Sequence, residues 1–437
     1  MVFEEADLII KKCMILPMSN INVIQNGLIA VKDGAISYMG DITDAPKFKA
    51  EKVLEGSGKL VMPGLIDCHT HLAMTLFRGL AEDVTLRKWL EESIWPLEAK
   101  LRPQDVYDGA LLGCLEMIKS GITCFADMYF FESKVAEAVE KAGLRAALAS
   151  GIIEAGSQER GEKMFREAVQ FAQEYRKYAD GRITTFLGPH TVYTCNQELL
   201  KRIREKASRM SVGIHIHIAE SKEMAEKVMK NFGFSEVKLL ESLQFLSDDV
   251  LAAHCIHLKQ EDTKILAKRR VKVVHNPVAN MKLAQGVAKV KELIEAGVTV
   301  GLGTDGPASN NSLDMFESMK VAALLQKVRY KDPTVLPNRR VLEMATINGA
   351  KALGLEKQIG SLEIGKRADI ILIDLKRPNL TPLHDLCSSL IYSVHGCDVD
   401  SVIVDGRLVM EHREVKTLGE SEVMEKAEDA AFKLLER

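Results

Sequence analysis

Hydrophobic and polar positions divide the chain into three zones with different periods. Up to about residue 59, short apolar runs such as Leu8-Ile9-Ile10 and Gly27-Leu28-Ile29-Ala30-Val31 alternate with turn residues. Asp33-Gly34 ahead of Ala35-Ile36-Ser37-Tyr38 predicts a hairpin. The last zone repeats that grammar: Ala368–Ile373 reads as a strand, and Ser401–Val404 leads through Asp405-Gly406-Arg407 into Leu408-Val409-Met410. Isolated hairpins are marginal in water, so the two β-rich ends are expected to pair with each other. The tail, Gly419–Arg437, alternates charges with Ala431, Phe432, Leu434 and Leu435, which predicts a solvated helix against that small domain, with an oligomer contact as the alternative.

Between the ends, residues 60–357 alternate short apolar runs with amphipathic segments. Strands are predicted at Leu60-Val61-Met62, Ile122–Ala126, Leu144–Ile153, Ile183–Gly188, Val212–Ile218, Val250–Ala253, Val271–Val274 and Val298–Leu302. One connecting helix shows the logic: Thr194 with Gln197 forms a capping box, and Leu199, Ile203, Ala207 and Met210 recur at helical spacing. Eight such units with near-continuous apolar strands predict an α/β fold, a closed parallel (β/α)8 TIM-like barrel over 60–357. Residues 1–59 and 358–437 together would compose a small β-sandwich domain. A doubly wound open sheet is the alternative, but no GxGxxG turn follows the first strand.

Composition narrows the class. The 437 residues are 46% hydrophobic and 27% charged, ordinary for a globular protein with a sizeable core. A net charge of -3 and the absence of any Lys/Arg-rich run argue against nucleic acid as a partner. No apolar stretch reaches the roughly 18 residues that span a bilayer, and the acidic start, Met1–Asp7, is unlike a signal peptide, so a cytoplasmic location is expected. The 8 cysteines are scattered without a CxxC pair and read as buried small apolar residues in a reducing compartment.

Candidate chemistry collects where a barrel has its active site, at the C-terminal ends of the strands. The first strand ends in Asp67-Cys68-His69-Thr70-His71, and alternation puts His69 and His71 on one face. The fourth ends in Gly188-Pro189-His190, and the fifth carries His215-Ile216-His217 with Glu220 just beyond. The sixth ends in His254 and the eighth in Thr304-Asp305-Gly306. One histidine on an apolar strand is most often a core residue. Several strand ends delivering imidazoles and carboxylates to one rim predict a site for zinc or another first-row divalent ion.

Pro63-Gly64-Leu65-Ile66-Asp67-Cys68-His69-Thr70-His71 resembles the opening metal motif of the amidohydrolase superfamily. The resemblance covers essentially the whole chain, including Gly365-Lys366-Arg367-Ala368-Asp369. Within that superfamily the chain is most similar to 5′-methylthioadenosine/S-adenosylhomocysteine deaminases, through Glu98 after Trp95-Pro96-Leu97, His190, His217 with Glu220, His254, and Asp305 with Ser309 downstream.

The resemblance implies one divalent metal per subunit, zinc first, with Fe2+, Ni2+ or Mn2+ as alternatives, on His69, His71, His217 and Asp305. Binuclear relatives carry a bridging Lys at the end of the fourth strand; Ile183–His190 has none. His215 falls one layer deeper on the same face and is expected to serve packing or support, as are His257 and His275.

The implied activity is hydrolytic deamination of adenosine-type nucleosides to inosine analogues and ammonia, with hydroxide formed at the metal attacking C6. Asp305 would accept the water proton, Glu220 protonate N1 and later help ammonia leave, and His254 steady the tetrahedral oxygen. Glu98 would accept bonds from the ribose hydroxyls, and His190 would touch the purine or ribose. Arg160 would reach the 5′ substituent, with Ser309 beside the substrate. Ser150 stands where some relatives carry a second arginine, which points to small 5′ groups. Asp83–Leu101, with Trp89 and Trp95, reads equally as a lid or a packed helix. Relatives imply a homo-oligomer, a dimer or tetramer. The competing functions are a deaminase or chlorohydrolase of a free heterocycle on the same scaffold, and a catalytically silent barrel with a structural metal.

Overall fold

The computed structural model describes residues 3–20 and 22–437; Met1 and Val2, part of the acidic start, lie outside them. Eight parallel strands follow one another in sequence order around a barrel: Leu65–Thr70, Ile122–Tyr129, Arg145–Ile152, Ile183–Pro189, Gly213–Ile218, Val250–His254, Lys272–His275 and Val300–Leu302. Helices such as Pro103–Ser120 and Met315–Tyr330 join them on the outside. The strands are buried on both faces, and every residue of Ile122–Tyr129 is. That is why they read as continuous apolar runs instead of an alternating pattern.

The first strand differs from the expectation. Lys59–Pro63 belongs to the other sheet, where it pairs antiparallel with Ile370–Asp374, and the barrel begins at Leu65. Pro63 and Gly64 separate the two roles: a proline cannot donate to a central ladder, and a Cβ on Gly64 would sit 2.0 Å from the Thr123 hydroxyl. The connecting helix Gln197–Met210 also starts differently. Asn196 is its cap, with the side chain accepting from the Leu199 N–H at 2.8 Å. Thr194 is engaged in a turn with Thr191 instead.

The two chain ends meet as expected. Nine strands form one continuous mixed sheet, with Lys59–Pro63 and Ile370–Asp374 as the seam between the N-terminal and C-terminal halves. It gives the fold its small β-sandwich beside the TIM-like barrel. Asp33-Gly34 makes the expected tight hairpin, with φ of 50° and 74°.

The tail helix, Glu420–Glu436, packs on the barrel helix Pro103–Ser120, not on the small domain. Val423, Ala427, Ala430 and Leu434 are its buried face, while Phe432 and Leu435 are exposed. The cysteines are all free; six are buried, but Cys387 is half-buried and Cys397 exposed, against the expectation for those two. Among the described residues no helix is long and apolar enough to cross a membrane.

Candidate active site

The barrel's strand ends form the base of a pocket that opens to solvent. His71, His190, His217, Glu220, His254, Asp305 and Ser309 line its floor. Short helical turns from Leu86 to Glu98 roof it with Leu86, Trp89, Leu90, Ile94, Trp95 and Glu98. The Asp83–Leu101 stretch is thus a wall of the cavity.

Strand alternation brings His69 and His71 to one side, and the eighth strand end brings Asp305 opposite. Nε2 of His71 and of His69 lie 3.4 and 3.6 Å from Asp305 Oδ1, and His217 Nε2 lies 3.4 Å from His71 Nε2. The ligand-capable atoms of His69, His71 and His217 are all within 4.8 Å of one another, as are those of His69, His254 and Asp305. The opposite ring nitrogens are already engaged: His71 Nδ1 with the Met128 carbonyl at 2.6 Å, His217 Nδ1 with the His190 carbonyl at 2.9 Å, and His69 Nδ1 with His215 Nε2 at 2.8 Å. A carbonyl only accepts, so His71 and His217 carry their proton on Nδ1 and turn a lone pair inward. His69 Nε2 is buried with no hydrogen-bond partner. Burial lowers all three imidazoles below the ordinary histidine range, so they are neutral. The inward lone pairs of His71 and His217, the unpartnered His69 Nε2 and one carboxylate form the donor set of a divalent cation.

Beyond this cluster, His254 Nε2 lies 3.9 Å from Glu220 Oε1. Burial raises the Glu220 carboxyl above the ordinary range. Glu98 stands half-buried in the roof, and burial pushes it to about 7, offset in part by the Tyr129 hydroxyl. His190 is engaged through Nδ1 with the Thr194 hydroxyl at 3.0 Å, and burial brings it down to about 3. Ser309 donates to the Gly306 carbonyl at 3.0 Å. The chain turns sharply at these strand ends: Ala219, His254, Cys255 and Asp305 all have φ between 50° and 70°. Such left-handed residues cost about 1–3 kcal/mol each and gather where side chains are aimed at a ligand.

Arg160 is not brought to the cavity. It is exposed, and its guanidinium donates to the Glu154 carbonyl at 2.7 and 3.2 Å and to the Ala155 carbonyl at 3.3 Å. Ser150 does not line the cavity either, and no Lys or Arg does among the described residues. Two partners escaped the sequence reading. Asn280 Oδ1 is 2.9 Å from His254 Nδ1, with Asn276 at 3.3 Å. The only signal for them was their place just after the seventh strand. Asp67, quoted in the motif without a role, accepts from the Thr304 N–H at 3.0 Å and joins the first strand to the eighth.

A parallel barrel with a histidine–carboxylate cluster at its strand ends defines the class of metal-binding barrel hydrolases. Within that class the chain belongs to the amidohydrolase family, whose profile matches residues 60–409. It is 49% identical over 433 residues to a 5′-deoxyadenosine deaminase of Methanosarcina acetivorans, covering 99% of each chain. It is 46% identical over 434 residues to a 5-methylthioadenosine/S-adenosylhomocysteine deaminase of Pelotomaculum thermopropionicum, covering 99% of this chain and 100% of the other. Its fold superposes on an adenosine deaminase from Xanthomonas campestris with bound zinc at a TM-score of 0.96 and 32% identity, each chain covered in full.

Proposed function

We propose that this protein hydrolytically deaminates adenosine-type nucleosides whose 5′ group is small and uncharged, 5′-deoxyadenosine and 5′-methylthioadenosine first. One observation carries the reading: the cavity holds a metal-type donor cluster with an adjacent half-buried acid, Glu220, at its floor, a carboxylate, Glu98, in its roof, and among the described residues no cationic side chain on its wall. A heteroaromatic amine fits the floor, a vicinal diol matches the paired oxygens of Glu98, and a carboxylate-bearing tail such as that of S-adenosylhomocysteine meets no counter-charge. A free base would leave Glu98 unused.

His69, His71, His217 and Asp305 would hold the metal, zinc by their donor set. A bound divalent ion supplies Lewis acidity that lowers the pKa of water to about 7. The chain's own groups manage the protons. Glu220, whose carboxyl burial raises above the ordinary range, gives its proton to N1, where it stays, and C6 becomes electrophilic. Asp305 takes one proton from water as the water oxygen adds to C6, and His254 donates to that oxygen. Glu220, now emptied, collects the second water proton as the C6 carbonyl forms and passes it to the amino group. The C6–N bond breaks and ammonia leaves. The proton on Asp305 then resets Glu220. Glu98 and His190 orient the nucleoside, and Ser309 closes the floor beside Asp305.

The test is an ultraviolet assay of adenine-to-hypoxanthine conversion on 5′-deoxyadenosine, 5′-methylthioadenosine, adenosine, S-adenosylhomocysteine and guanine, with and without a chelator. Turnover of the first two well above S-adenosylhomocysteine, lost on chelation and restored by zinc, is the expected result. Turnover of guanine alone would overturn the nucleoside reading.

A further inference from the structure

We infer that His215 is a positioning residue of the metal centre: it holds His69 in the tautomer that leaves Nε2 unprotonated. The inference rests on the reading of the cluster as a divalent-metal site, and it comes from following the protons behind the three imidazoles. His71 and His217 have their Nδ1 protons fixed by main-chain carbonyls, of Met128 and His190, which no side-chain substitution removes. His69 is different. Its Nδ1 faces another imidazole, His215 Nε2, at 2.8 Å, with the rings edge to face at 77°. Two imidazoles can share a hydrogen bond in either direction, so this contact alone does not say which nitrogen carries the proton.

The metal reading decides it. A nitrogen that holds a divalent ion must present a lone pair, so His69 Nε2, turned toward Asp305 and His71, is bare. That is the nitrogen found buried without a partner. The neutral ring then carries its proton on Nδ1 and donates it to His215 Nε2, which only accepts and leaves the His215 proton on Nδ1. The fifth strand thus uses one histidine, His217, as a ligand and the one two residues earlier as a relay that keeps the His69 proton on Nδ1. His215 is buried at 1% exposure, too deep to meet substrate. Groups behind a metal ligand that fix its tautomer commonly change metal affinity 10–100-fold when removed.

The experiment compares wild type with two variants: His215→Phe, which fills the ring volume without an acceptor, and His215→Gln, which keeps an acceptor oxygen. Metal-loaded proteins are titrated with a competing chelator to obtain zinc affinity, and metal-free melting is recorded alongside. The expected result is a 10–100-fold weaker zinc affinity for His215→Phe, less than about 3-fold for His215→Gln, and similar metal-free melting. Wild-type affinity in His215→Phe, or an equal loss in both variants, would overturn the assignment. A wild-type protein that binds no divalent metal would instead overturn the metal reading beneath it. Should a variant fail to fold, nitrogen NMR of histidine-labelled wild type decides: a proton on His215 Nδ1 supports the relay, and one on Nε2 overturns it.

Discussion

Two buried polar clusters, one near each end of the barrel, treat their polar atoms in opposite ways. At the start of the third strand, Arg145 is 3% exposed and fully matched: Asp369 accepts from it at 2.8 and 3.1 Å and Asp405 at 3.0 Å, while the Asp405 N–H donates to Asp369 at 2.8 Å. This ties the barrel to the Gly365–Asp369 segment, and it explains an aspartate that the motif contained without a stated purpose. At the strand ends, His69 Nε2 is buried without a hydrogen-bond partner and lies within the donor cluster. An interior that satisfies its polar atoms is built for stability, and one that leaves acceptors bare near a cavity is built to receive something. The contrast separates structural burial from functional burial within one barrel.

The sharpest break of that contrast is Glu220→Gln. It should lower kcat on 5′-deoxyadenosine by about 10³-fold or more with folding intact, checked by the ultraviolet assay and a urea melt. At the matched end, Arg145→Met should do the reverse. Two aspartates lose their shared cation, stability falls by about 3–5 kcal/mol in urea unfolding, and the turnover of folded protein is retained.

Glu98→Gln should mix the two behaviours. Its carboxyl is held at about 7 against 4.5 for a free one, so the folded form binds the proton more tightly and ionisation opposes folding. Wild-type stability therefore drains away as pH rises from about 4.5 to about 7, and the glutamine variant should be spared that loss. Its advantage in urea melts should grow over this window to about 2–3 kcal/mol at pH 8, while its KM for nucleosides rises. The smallest effect is expected for Arg160→Ala, under about 2-fold in KM on any 5′ group, since its guanidinium is spent on the Glu154 and Ala155 carbonyls. A large loss there would show that the loop reorders over the substrate.

How much of this was legible depended on how local the physics was. His69 and His71 are two residues apart on a strand, so their common face followed from alternation, and the rim position of His217, His254 and Asp305 followed from the barrel. Asp33-Gly34 announced its turn for the same reason. Where two local solutions compete, sequence reading slipped: Thr194 and Asn196 can both cap a helix, and only the turn that Thr194 makes with Thr191 decides between them. Residues 60–62 are apolar whichever sheet they join, and the partner strand, Ile370–Asp374, lies some 300 residues later. Arg160 failed as a cavity residue because an arginine in a polar loop has carbonyl acceptors within reach that sequence does not display. Asn280 acts across a turn on a histidine 26 positions earlier, which periodicity cannot express.

The join between the eighth strand and the first has a mechanical consequence. No strand ladder links them. Side-chain and single main-chain bonds, Thr304 to Asp67 and the Asp305 N–H to the His69 carbonyl at 2.9 Å, bridge the gap. The donor cluster straddles this gap, with two imidazoles on one bank and the carboxylate on the other. An ion gripped from both banks would act as a rivet, closing a loop of more than two hundred residues that the backbone leaves fastened by only a few bonds. Occupancy and the roundness of the barrel are then one property, and the strands on either side of the gap are where an emptied protein would first begin to breathe.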